Sequence, residues 1–551
     1  MPKAKPESVD SPRVSRRGFI ATTTAGLAAA TAGCSVTAGT ASPPKTATAA
    51  TTVGPYDTLR EAIDALDARG RVVRIARVDQ DAYEATALMY RLTERYSAEG
   101  APAVVFDEVK INGEWLKGPV VGNLLGHWDA EALVFGLEPD PAGGMATLRK
   151  ARAHLIAMAR ANGGRFPEIA PVTVTREQAL CKQVVLKGDE IDMTRFAFLQ
   201  VNPADGGRYV NTASVFTRHP KMGVNLGTYR CQLKGPRKIA VSPGEGQTGW
   251  RMLDAARKRG EKTAKVSLVL GQEPIVYLVS GSRAAGRAGN KPVDELAVAG
   301  GLRGRALEVI QSESNDFMIP AQSEMVIEGE IPLQESEAEG PYGEGLGYQG
   351  GGEMAWYMNV TTVTHRRDPW MHNSFTGVDR GPVSAAGLAS ALLFAQRFSP
   401  EVTDMYYRNR VVNIMYVSID KTKPGQGLAV GEKLGRFNPV AKVVIVVDKD
   451  VDVMDISQVI AAMSSRWQPE PAMKTFQNLP GLPLDPSQPV RSRTSKVVID
   501  ATRQWPEEGG PASYPPTNLS LLEAGAPEAF ERVDAKWADI INGWESGARQ
   551  G

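Results

Sequence analysis

The most informative stretch of this sequence reads Glu339-Gly-Pro-Tyr-Gly-Glu344-Gly-Leu-Gly-Tyr348 and continues to Gly350-Gly351-Gly352-Glu353. Its glycines allow the backbone to approach a ligand closely. Glu339 and Glu344 are close enough in sequence to share one site, where a nearby cation can leave one carboxylate ionised and the other protonated. That arrangement suits general acid–base catalysis. Taken alone, the same pattern also fits a surface loop with solvated glutamates.

A glycine pattern inside this stretch, Gly345-Leu-Gly347-Tyr-Gln-Gly350, matches the G-x-G-x-x-G fingerprint of dinucleotide sites. The fingerprint requires a strand before it and a helix after it. The segment that follows, Ala355–Thr364, alternates in the manner of a strand. A nicotinamide dinucleotide site is therefore not predicted, and an ordinary flavin oxidoreductase is not favoured.

Alternating apolar segments surround this stretch throughout residues 171–385, and glycine and proline turns separate them. The pattern is typical of a β-barrel-like domain. It predicts one helix, at Asp294–Leu302. The predicted strands are Ala264–Leu270, Ile275–Ser280, Met325–Ile331 and Ala355–Thr364.

Helices alternate with strands on both sides of this central segment, so the predicted fold class is mixed α/β. An N-terminal α/β domain is predicted over residues 54–170. Its predicted helices are Leu59–Leu66, capped by Asp57-Thr58, and Tyr83–Tyr96, and its predicted strands are Arg71–Val78 and Ala103–Val109. A linking helix is predicted within 386–410, at Gly387–Phe398. A C-terminal α/β domain is predicted over 411–551. Its predicted strands are Val411–Ile419 and Val443–Asp448, and its predicted helices are Ile456–Trp467 and Pro527–Trp544.

Charge and cysteine content exclude several classes of function. The 551 residues carry 63 Lys and Arg against 62 Asp and Glu, a net charge of +1. No nucleic-acid partner is predicted from this balance. The 3 cysteines, Cys34, Cys181 and Cys231, are far apart and form no CxxC pair, so neither a disulfide framework nor a zinc cluster is expected.

The N-terminus, 1–53, is predicted to be an export signal and a disordered tether. Ser15-Arg16-Arg17-Gly18-Phe19-Ile20 precedes a mildly apolar run, Ala21–Gly33, as in signals of the twin-arginine (Tat) route. Thr31-Ala-Gly-Cys34 is similar to a lipoprotein cleavage box, and ordinary cleavage near Ala30–Ala41 is the alternative. The protein is therefore expected in the periplasm or cell envelope, with membrane contact only through the signal or a lipid on Cys34.

Two further motifs contain chemically suitable side chains. Val224-Asn225-Leu-Gly-Thr-Tyr-Arg230-Cys-Gln232 offers an amide oxygen for a hard cation and a permanently charged guanidinium that can pair with a carboxylate. Asp294-Glu295-Leu296 begins the predicted helix, where an acidic residue either complements the helix dipole or ligates a metal.

Together these motifs identify a family resemblance. Asn225-x-x-x-x-Arg230, the Asp294-Glu295-Leu296 helix, Ser314–Ala321, Ser323–Gly329 and Glu339–Glu344 occur in the order and spacing of the UbiD decarboxylase family. The resemblance extends from about residue 60 to Ser495–Thr502. It implies a central split β-barrel domain that binds prenylated FMN, and a C-terminal domain through which homodimers or homohexamers form.

The resemblance implies that Arg230, Glu339 and Glu344 are the catalytic residues. Glu344 matches the family's proton donor, and Glu339 matches the carboxylate that pairs with the arginine. The implied reaction is a reversible, non-oxidative decarboxylation of an unsaturated or aromatic carboxylic acid. A flavin prenyltransferase is the implied source of the cofactor. The alternative is an accessory relative that binds flavin without decarboxylase activity.

The same resemblance implies how the cofactor is held, with its phosphate bound to a divalent metal, typically manganese, and a potassium ion. Asn225 and Glu295 match two metal ligands, and Lys442 matches a lysine that contacts the phosphate. Further matching positions line the cofactor: Leu226, Gly227, Thr228, Tyr229, Arg230, Ser280, Gly281 and Ser282. The family's histidine ligand is missing from Val241–Thr248, where Glu245, Gln247 or water is left to replace it.

Overall fold

The fold is described by a computed structural model, which covers residues 53–282, 293–381, 384–408 and 411–547. The predicted signal with its Arg16-Arg17 pair, and the candidate lipid site at Cys34, lie outside the described residues. The described part that begins near residue 53 is one compact unit. Within it, no helix combines the length and apolar character that crossing a bilayer requires.

The N-terminal part combines helices and strands as the sequence predicts. The first helix begins after Thr58, whose side chain accepts a hydrogen bond from the backbone N–H of Glu61 and so satisfies one unpaired donor of the first turn. The elements are α1 (Leu59–Asp67), β1 (Val72–Asp79), α2 (Glu84–Tyr96), β2 (Ala103–Ile111), β3 (Glu114–Gly122), α3 (Trp128–Leu133) and α4 (Gly144–Ala161).

Most of the regular elements described in the central part are strands. They are β4 (Val172–Thr173), β5 (Val184–Lys187), β6 (Tyr209–Val210), β7 (Ser214–His219), β8 (Gly223–Thr228), β9 (Arg230–Gly235), β10 (Lys238–Ser242), β11 (Thr263–Leu270), β12 (Glu308–Gln311), β13 (Met318–Pro320), β14 (Met325–Pro332), β15 (Glu337–Glu339), β16 (Tyr342–Gly343), β17 (Gln349–Gly350), β18 (Glu353–His365) and β19 (Met371–Asn373). The α-helices described among them are α5 (Thr248–Lys258), α6 (Pro274–Gly281) and α7 (Glu295–Arg303).

One strand prediction is wrong. The apolar run Ile275–Ser280 belongs to the helix α6, not to a strand. Pro274 occupies the first turn, where its missing N–H costs nothing, and the Glu273 carboxylate accepts hydrogen bonds from the N–H groups of Ile275 and Val276. A short, continuously apolar run has no periodicity that distinguishes a strand from a buried helix.

The ten-stranded central sheet explains where the site forms. Its order is β6-β9-β10-β18-β14-β11-β7-β8, with β5 and β15 also paired to β18. Consequently β8 and β9 lie near opposite edges of the sheet, although a single residue, Tyr229, separates them in the chain. The sheet must therefore curl until these edges meet, which confirms the predicted barrel-like central domain as a curled half-barrel.

The C-terminal part returns to alternating helices and strands. Its elements are α8 (Ala385–Phe398), β20 (Val402–Tyr406), β21 (Ile414–Ile419), α9 (Gln426–Phe437), β22 (Val443–Asp448), α10 (Ile456–Arg466), β23 (Met473–Pro480), β24 (Arg493–Ala501), α11 (Asn518–Gly525) and α12 (Ala529–Gly547). The five-stranded sheet has the order β20-β21-β22-β24-β23. The mixed α/β fold class predicted from sequence is confirmed.

Smaller sheets and apolar clusters connect the parts. The N-terminal sheet is completed by a strand of the central part, in the order β1-β2-β3-β19. Apolar side chains of β2, β3 and the central sheet share one buried cluster that includes Phe106, Val215, Cys231 and Phe375. Since the N-terminal and central parts bury the same cluster, the site described below rests on a continuous core.

Candidate active site

The guanidinium of Arg230 is the centre of a charge cluster on the curled sheet. Arg230 is the first residue of β9, directly after Tyr229. Its Nε lies 3.1 Å from both carboxylate oxygens of Glu339, and its Nη2 donates to Glu339 Oε2 at 2.8 Å. The Glu344 carboxylate receives one hydrogen bond, from Nη1 to Oε1 at 2.5 Å. The structure therefore brings together the three residues predicted to be catalytic.

The two predicted catalytic carboxyl groups differ in their surroundings. The Glu339 side chain is fully buried, whereas that of Glu344 remains 14% exposed. Burial raises the pKa of Glu344, the charge of Glu339 raises it further, and Arg230 opposes both effects. Because Glu339 receives three of the guanidinium contacts and Glu344 one, Glu344 is the group better suited to hold and release a proton.

Tyr209 on β6 is a site residue that the sequence analysis did not identify. Its hydroxyl donates to Glu339 Oε1 at 3.0 Å, and its ring lies 4.4 Å from that of Tyr342, centroid to centroid. Burial and the charge of Glu339 raise the pKa of the Tyr209 hydroxyl, so it remains a donor. No local pattern points to it, because 130 residues separate it from Glu339.

Glu353 is a third carboxylate on the same arginine. In the antiparallel pair β15–β18 it lies directly opposite Glu339. Its Oε1 accepts from Arg230 Nη2 at 2.8 Å, and its Oε2 accepts from Arg491 Nη1, also at 2.8 Å. In the sequence Glu353 only ends the glycine-rich stretch, and no local motif points to Arg491, because strand pairing and a distant loop bring the two together.

The opposite end of the β8–β9 connection contains the predicted metal ligands. Asn225 is buried on β8, and the carboxylate of Glu295, at the start of α7, is contacted by the backbone N–H of the adjacent Leu226. Burial raises the pKa of Glu295 to about 8. Its Oε2 atom is buried and has no hydrogen-bond partner in the described part of the chain.

Tyr229 connects the two ends. Its hydroxyl accepts a hydrogen bond from the backbone N–H of Gly249 at 3.1 Å and lies 3.4 Å from Asn225 Nδ2. A Cβ atom on Gly227 would lie 2.1 Å from this hydroxyl, and one on Gly249 would lie 2.6 Å from it. Both glycines are therefore needed for the ring to occupy its place.

Hydroxyl groups line the neighbouring surface, where β8 meets the end of α6. Ser280 Oγ lies 2.9 Å from Thr228 Oγ1 and accepts from Ser214 Oγ at 2.8 Å. Gly281 ends the helix, and Ser282 Oγ donates to the Leu278 carbonyl at 2.6 Å. The structure thus groups the predicted cofactor-lining residues of 226–229 with those of 280–282.

The residues beside Glu295 fit a hard cation in part. An unpartnered buried carboxylate oxygen and the amide oxygen of Asn225 are suitable ligands for Mn²⁺ or Mg²⁺. The candidate replacements for the missing histidine are turned elsewhere, since Glu245 is exposed and Gln247 Oε1 accepts from the Gly244 N–H at 2.6 Å. Among the described residues, no three or more His, Cys, Asp or Glu side chains form a metal site.

Lys442 is held by groups of the C-terminal part. Its Nζ donates to Asp485 Oδ2 and to Ser487 Oγ, each at 2.8 Å. Both partners belong to the loop between β23 and β24, which also contains Arg491. The contact of Lys442 with a flavin phosphate stays a prediction.

Family models of 3-octaprenyl-4-hydroxybenzoate carboxy-lyase match three consecutive segments of the chain. The N-terminal domain model matches 63–143, the Rift-related domain model 172–379 and the C-terminal domain model 384–501. The fold and these matches define the protein as a carboxy-lyase. The chain belongs to the UbiD family.

Solved structures agree with this assignment. Vanillic acid decarboxylase of Sedimentibacter hydroxybenzoicus, in its open form, is 26% identical, with 87% of this chain and 99% of that chain covered and a TM-score of 0.70. The UbiD-class enzyme HmfF of Pelotomaculum thermopropionicum, solved with FMN, is 25% identical, with 85% and 100% covered and a TM-score of 0.68. An evolved dimeric form of HmfF, solved with prenylated FMN (prFMN), is 24% identical, with 85% and 98% covered and a TM-score of 0.67.

Proposed function

We propose that this protein catalyses the reversible, non-oxidative decarboxylation of an unsaturated or aromatic carboxylic acid, with prenylated FMN as cofactor and Glu344 as proton donor. The observation that carries the proposal is the unequal sharing of Arg230. Glu339 receives three of its contacts and Glu344 one. A carboxylate that the guanidinium holds with three contacts, beside a second that it holds with one, is an arrangement that suits proton delivery from the second.

The cofactor, when bound, supplies the electron sink that loss of CO2 requires. Thr228, Ser280 and Ser214 would offer hydroxyl groups to it, and Asn225 with Glu295 would hold a divalent metal, of which manganese is the one proposed. Potassium is the second ion that we propose from the family resemblance.

The protein's own residues perform the proton transfer. Arg230 fixes both carboxylates, and Tyr209 fixes Glu339 from the opposite side. As the bond between the substrate and its carboxylate breaks, CO2 leaves and Glu344 donates its proton to the carbon that has lost it. Solvent then returns a proton to Glu344, and carboxylation is the same path reversed.

The test is to produce the full-length protein together with a flavin prenyltransferase and to measure CO2 release from vanillate, 3,4-dihydroxybenzoate and ferulate. Glu344→Gln should keep the flavin spectrum and lose roughly 10²–10⁴-fold in turnover, the size of a general-acid contribution. Glu337→Gln, a charge removed from the same β15 region where Glu337 pairs with Lys238, is the control. Normal turnover in Glu344→Gln would exclude it as the donor.

A flavin-binding accessory role is the second candidate. It is favoured by the missing histidine ligand, because neither Glu245 nor Gln247 contacts Glu295 within the described chain. Purified protein that retains prenylated FMN but releases no CO2 from a broad panel of acids would support this candidate over the enzyme.

Export by the Tat route is a further proposal, drawn from the sequence of residues 1–53. Replacing Arg16 and Arg17 with lysine should keep the protein in the cytoplasm of a Tat-competent bacterium. Fractionation followed by immunoblotting measures this, and Cys34→Ala tests lipid attachment separately. Export of the double-lysine variant at the normal level would eliminate the Tat proposal.

From the family resemblance we also propose that the protein forms a homodimer or homohexamer. The final helices support it, because apolar side chains on them are exposed, including Leu521 at 55% and Ile540 at 64%. Sedimentation velocity on the purified protein should show a species of at least twice the chain mass of 59.2 kDa. A monomer at micromolar concentration would contradict this proposal.

A further inference from the structure

The third carboxylate on Arg230 connects the active site to the C-terminal part of the chain. Glu353 begins β18 and shares Arg230 Nη2 with Glu339. Its other oxygen accepts from Arg491, which precedes β24. Ser242 Oγ donates to Glu353 Oε1 at 3.4 Å and completes its contacts in the described chain.

The number of hydrogens on Arg230 limits what Glu344 can receive. A guanidinium has five N–H groups in a fixed plane. Glu339 uses Nε and Nη2, and Glu353 takes a further bond from Nη2, which leaves Glu344 a single contact with Nη1. The fork formed by Nη1 and Nη2 is therefore divided between Glu344 and Glu353. With Glu353 in place, Glu344 does not form the two-bond pairing with this fork that favours an ionised carboxylate.

The charges of the cluster also favour a proton. Arg230 and Arg491 supply two positive charges, whereas Glu339, Glu344 and Glu353 would supply three negative charges if all were ionised. One bound proton restores neutrality. Glu339 has three guanidinium contacts and Glu353 contacts two different arginines, so Glu344 is the carboxyl with the least compensation.

The charged and titratable groups that act most strongly on Glu344 in the described chain belong to this arrangement. They come from β9, β15, β16, β18 and the loop before β24, and are Arg230, Glu339, Tyr342, Glu353 and Arg491. Behind them, Tyr209 contacts Glu339, and the Asp205 carboxylate accepts from the backbone N–H of Gly343 at 2.8 Å.

The loop that presents Arg491 is itself anchored. Lys442 holds it through Asp485 and Ser487, and Gln488 Oε1 accepts from the Ser492 N–H at 2.7 Å. Arg491 extends from this anchored loop, with its side chain 62% exposed. The position of the C-terminal loop is therefore transmitted to Glu353 through one ion pair.

We propose that Glu353 and Arg491 are a pair of positioning residues that set how strongly Glu344 holds its proton. Glu353 favours the protonated form of Glu344 by occupying Arg230 and by its negative charge. Arg491 limits this effect because its positive charge compensates part of the charge of Glu353. This inference rests on the proposed role of Glu344 as proton donor. Neither Glu353 nor Arg491 needs to touch the substrate for the pair to act.

The test is an infrared titration of the purified full-length protein, with and without its flavin. The carboxylic acid C=O band of Glu344 is assigned by its loss in Glu344→Gln. In Glu353→Gln this band should disappear at lower pH than in the wild type, because a repelling charge is gone and Arg230 is free to pair with Glu344. In Arg491→Gln it should persist to higher pH, because a cation is gone.

The double variant Glu353→Gln/Arg491→Gln sharpens the test, since it loses one charge of each sign and should titrate close to the wild type. Matched controls are Glu337→Gln and Arg493→Gln, which remove the same charges beside the site without touching Arg230 or Glu353. Both should leave the band in place. Where an acid is turned over, Glu353→Gln should lower kcat at neutral pH on the order of tenfold, well below the loss of the general acid itself.

An unchanged titration in both single variants would overturn the inference, even if Glu344→Gln is inactive and the proposed function stands. Conversely, full turnover in Glu344→Gln would remove the proposed function, whereas the infrared titration is read without turnover. If Glu353→Gln does not fold, Arg491→Gln decides alone, because the exposure of Arg491 makes its replacement tolerable.

Discussion

The two ends of the β8–Tyr229–β9 connection differ in the partners that they offer to buried carboxylates. At the Arg230 end, three carboxylates surround a cation that the chain itself provides. At the Asn225 end, Glu295 is buried beside backbone N–H groups and one of its oxygens has no partner in the described chain. The comparison indicates that the carboxylates at one end have cationic partners within the chain, whereas the other end leaves a carboxyl oxygen without one, as the proposed metal site would.

Removing the internal cation should have the largest effect. Arg230→Ala leaves Glu339 buried without its partner, and breaking a buried ion pair costs about 3–5 kcal/mol. Turnover should also be abolished. Urea unfolding measures the stability loss, and Arg237→Ala, which removes an exposed pair with Asp189, should cost at most about 1 kcal/mol. Equal losses in the two variants would show that the Arg230 cluster is not the buried network described here.

Removing the carboxylate of Glu295, at the other end, should not reduce the stability of the fold. Glu295→Gln should leave the metal-free protein at least as stable as the wild type, because no cation loses a partner. In the wild type, Mn²⁺ at about 100 times its Kd should stabilise the fold by about 2.7 kcal/mol, and Glu295→Gln should lose that gain.

Thermal unfolding with and without Mn²⁺ measures this gain, and Glu245→Gln separates the two candidate ligands. Since Glu245 is exposed, its replacement should leave the Mn²⁺ response intact. A response lost in Glu245→Gln and kept in Glu295→Gln would reverse the assignment of the two ends.

The connection between the ends can be tested separately. In Gly227→Ala the new Cβ would meet the Tyr229 hydroxyl, so the ring must move, at a cost of about 1–3 kcal/mol. Flavin content, measured by absorbance after purification, should fall, whereas the infrared band of Glu344 should keep its titration. Gly525→Ala, where nothing lies within 4 Å of the added carbon, is the control. Normal flavin content would mean that Tyr229 does not organise the cofactor end.

The smallest effect is expected for a single hydrogen bond at the Arg230 end. Tyr209→Phe removes the donor to Glu339 but leaves Arg230 in place, so about 1.5 kcal/mol and roughly tenfold in turnover should be lost. Steady-state kinetics measure this, with Tyr342→Phe as the comparison because the Tyr342 hydroxyl contacts Thr376 and Asn211 and not Glu339. A loss as large as that of Arg230→Ala would mean that Tyr209 does more than orient Glu339.

The sequence predicted those parts of the site that are marked by local motifs. Arg230, Glu339 and Glu344 converge as expected, and Leu226, the neighbour of Asn225, contacts Glu295 at the start of its helix. The fold class also followed from the alternation of apolar residues, as did α1 with its Thr58 cap.

What the sequence could not predict depends on strand register and distant contacts. Glu353 faces Glu339 only because β15 pairs with β18 in one register, and Arg491 arrives from 138 residues away. Likewise, the apolar run of α6 resembles a strand because the residue that caps the helix, Glu273, lies just outside the run. Periodicity reports which face is buried, not which side chains meet across a sheet.

The strand β18 has a consequence for the mobility of the site. Its last residues, Thr362–His365, are flanked by β14 on one side and β5 on the other, whereas Glu353 to Ala355 are paired with the short strand β15. Backbone amides along this one strand should therefore exchange with deuterium in a gradient, slowest near Val363 and fastest towards Glu353. The end of the strand near Val363 would then be rigid, whereas the end that carries Glu353 into the site would be able to move.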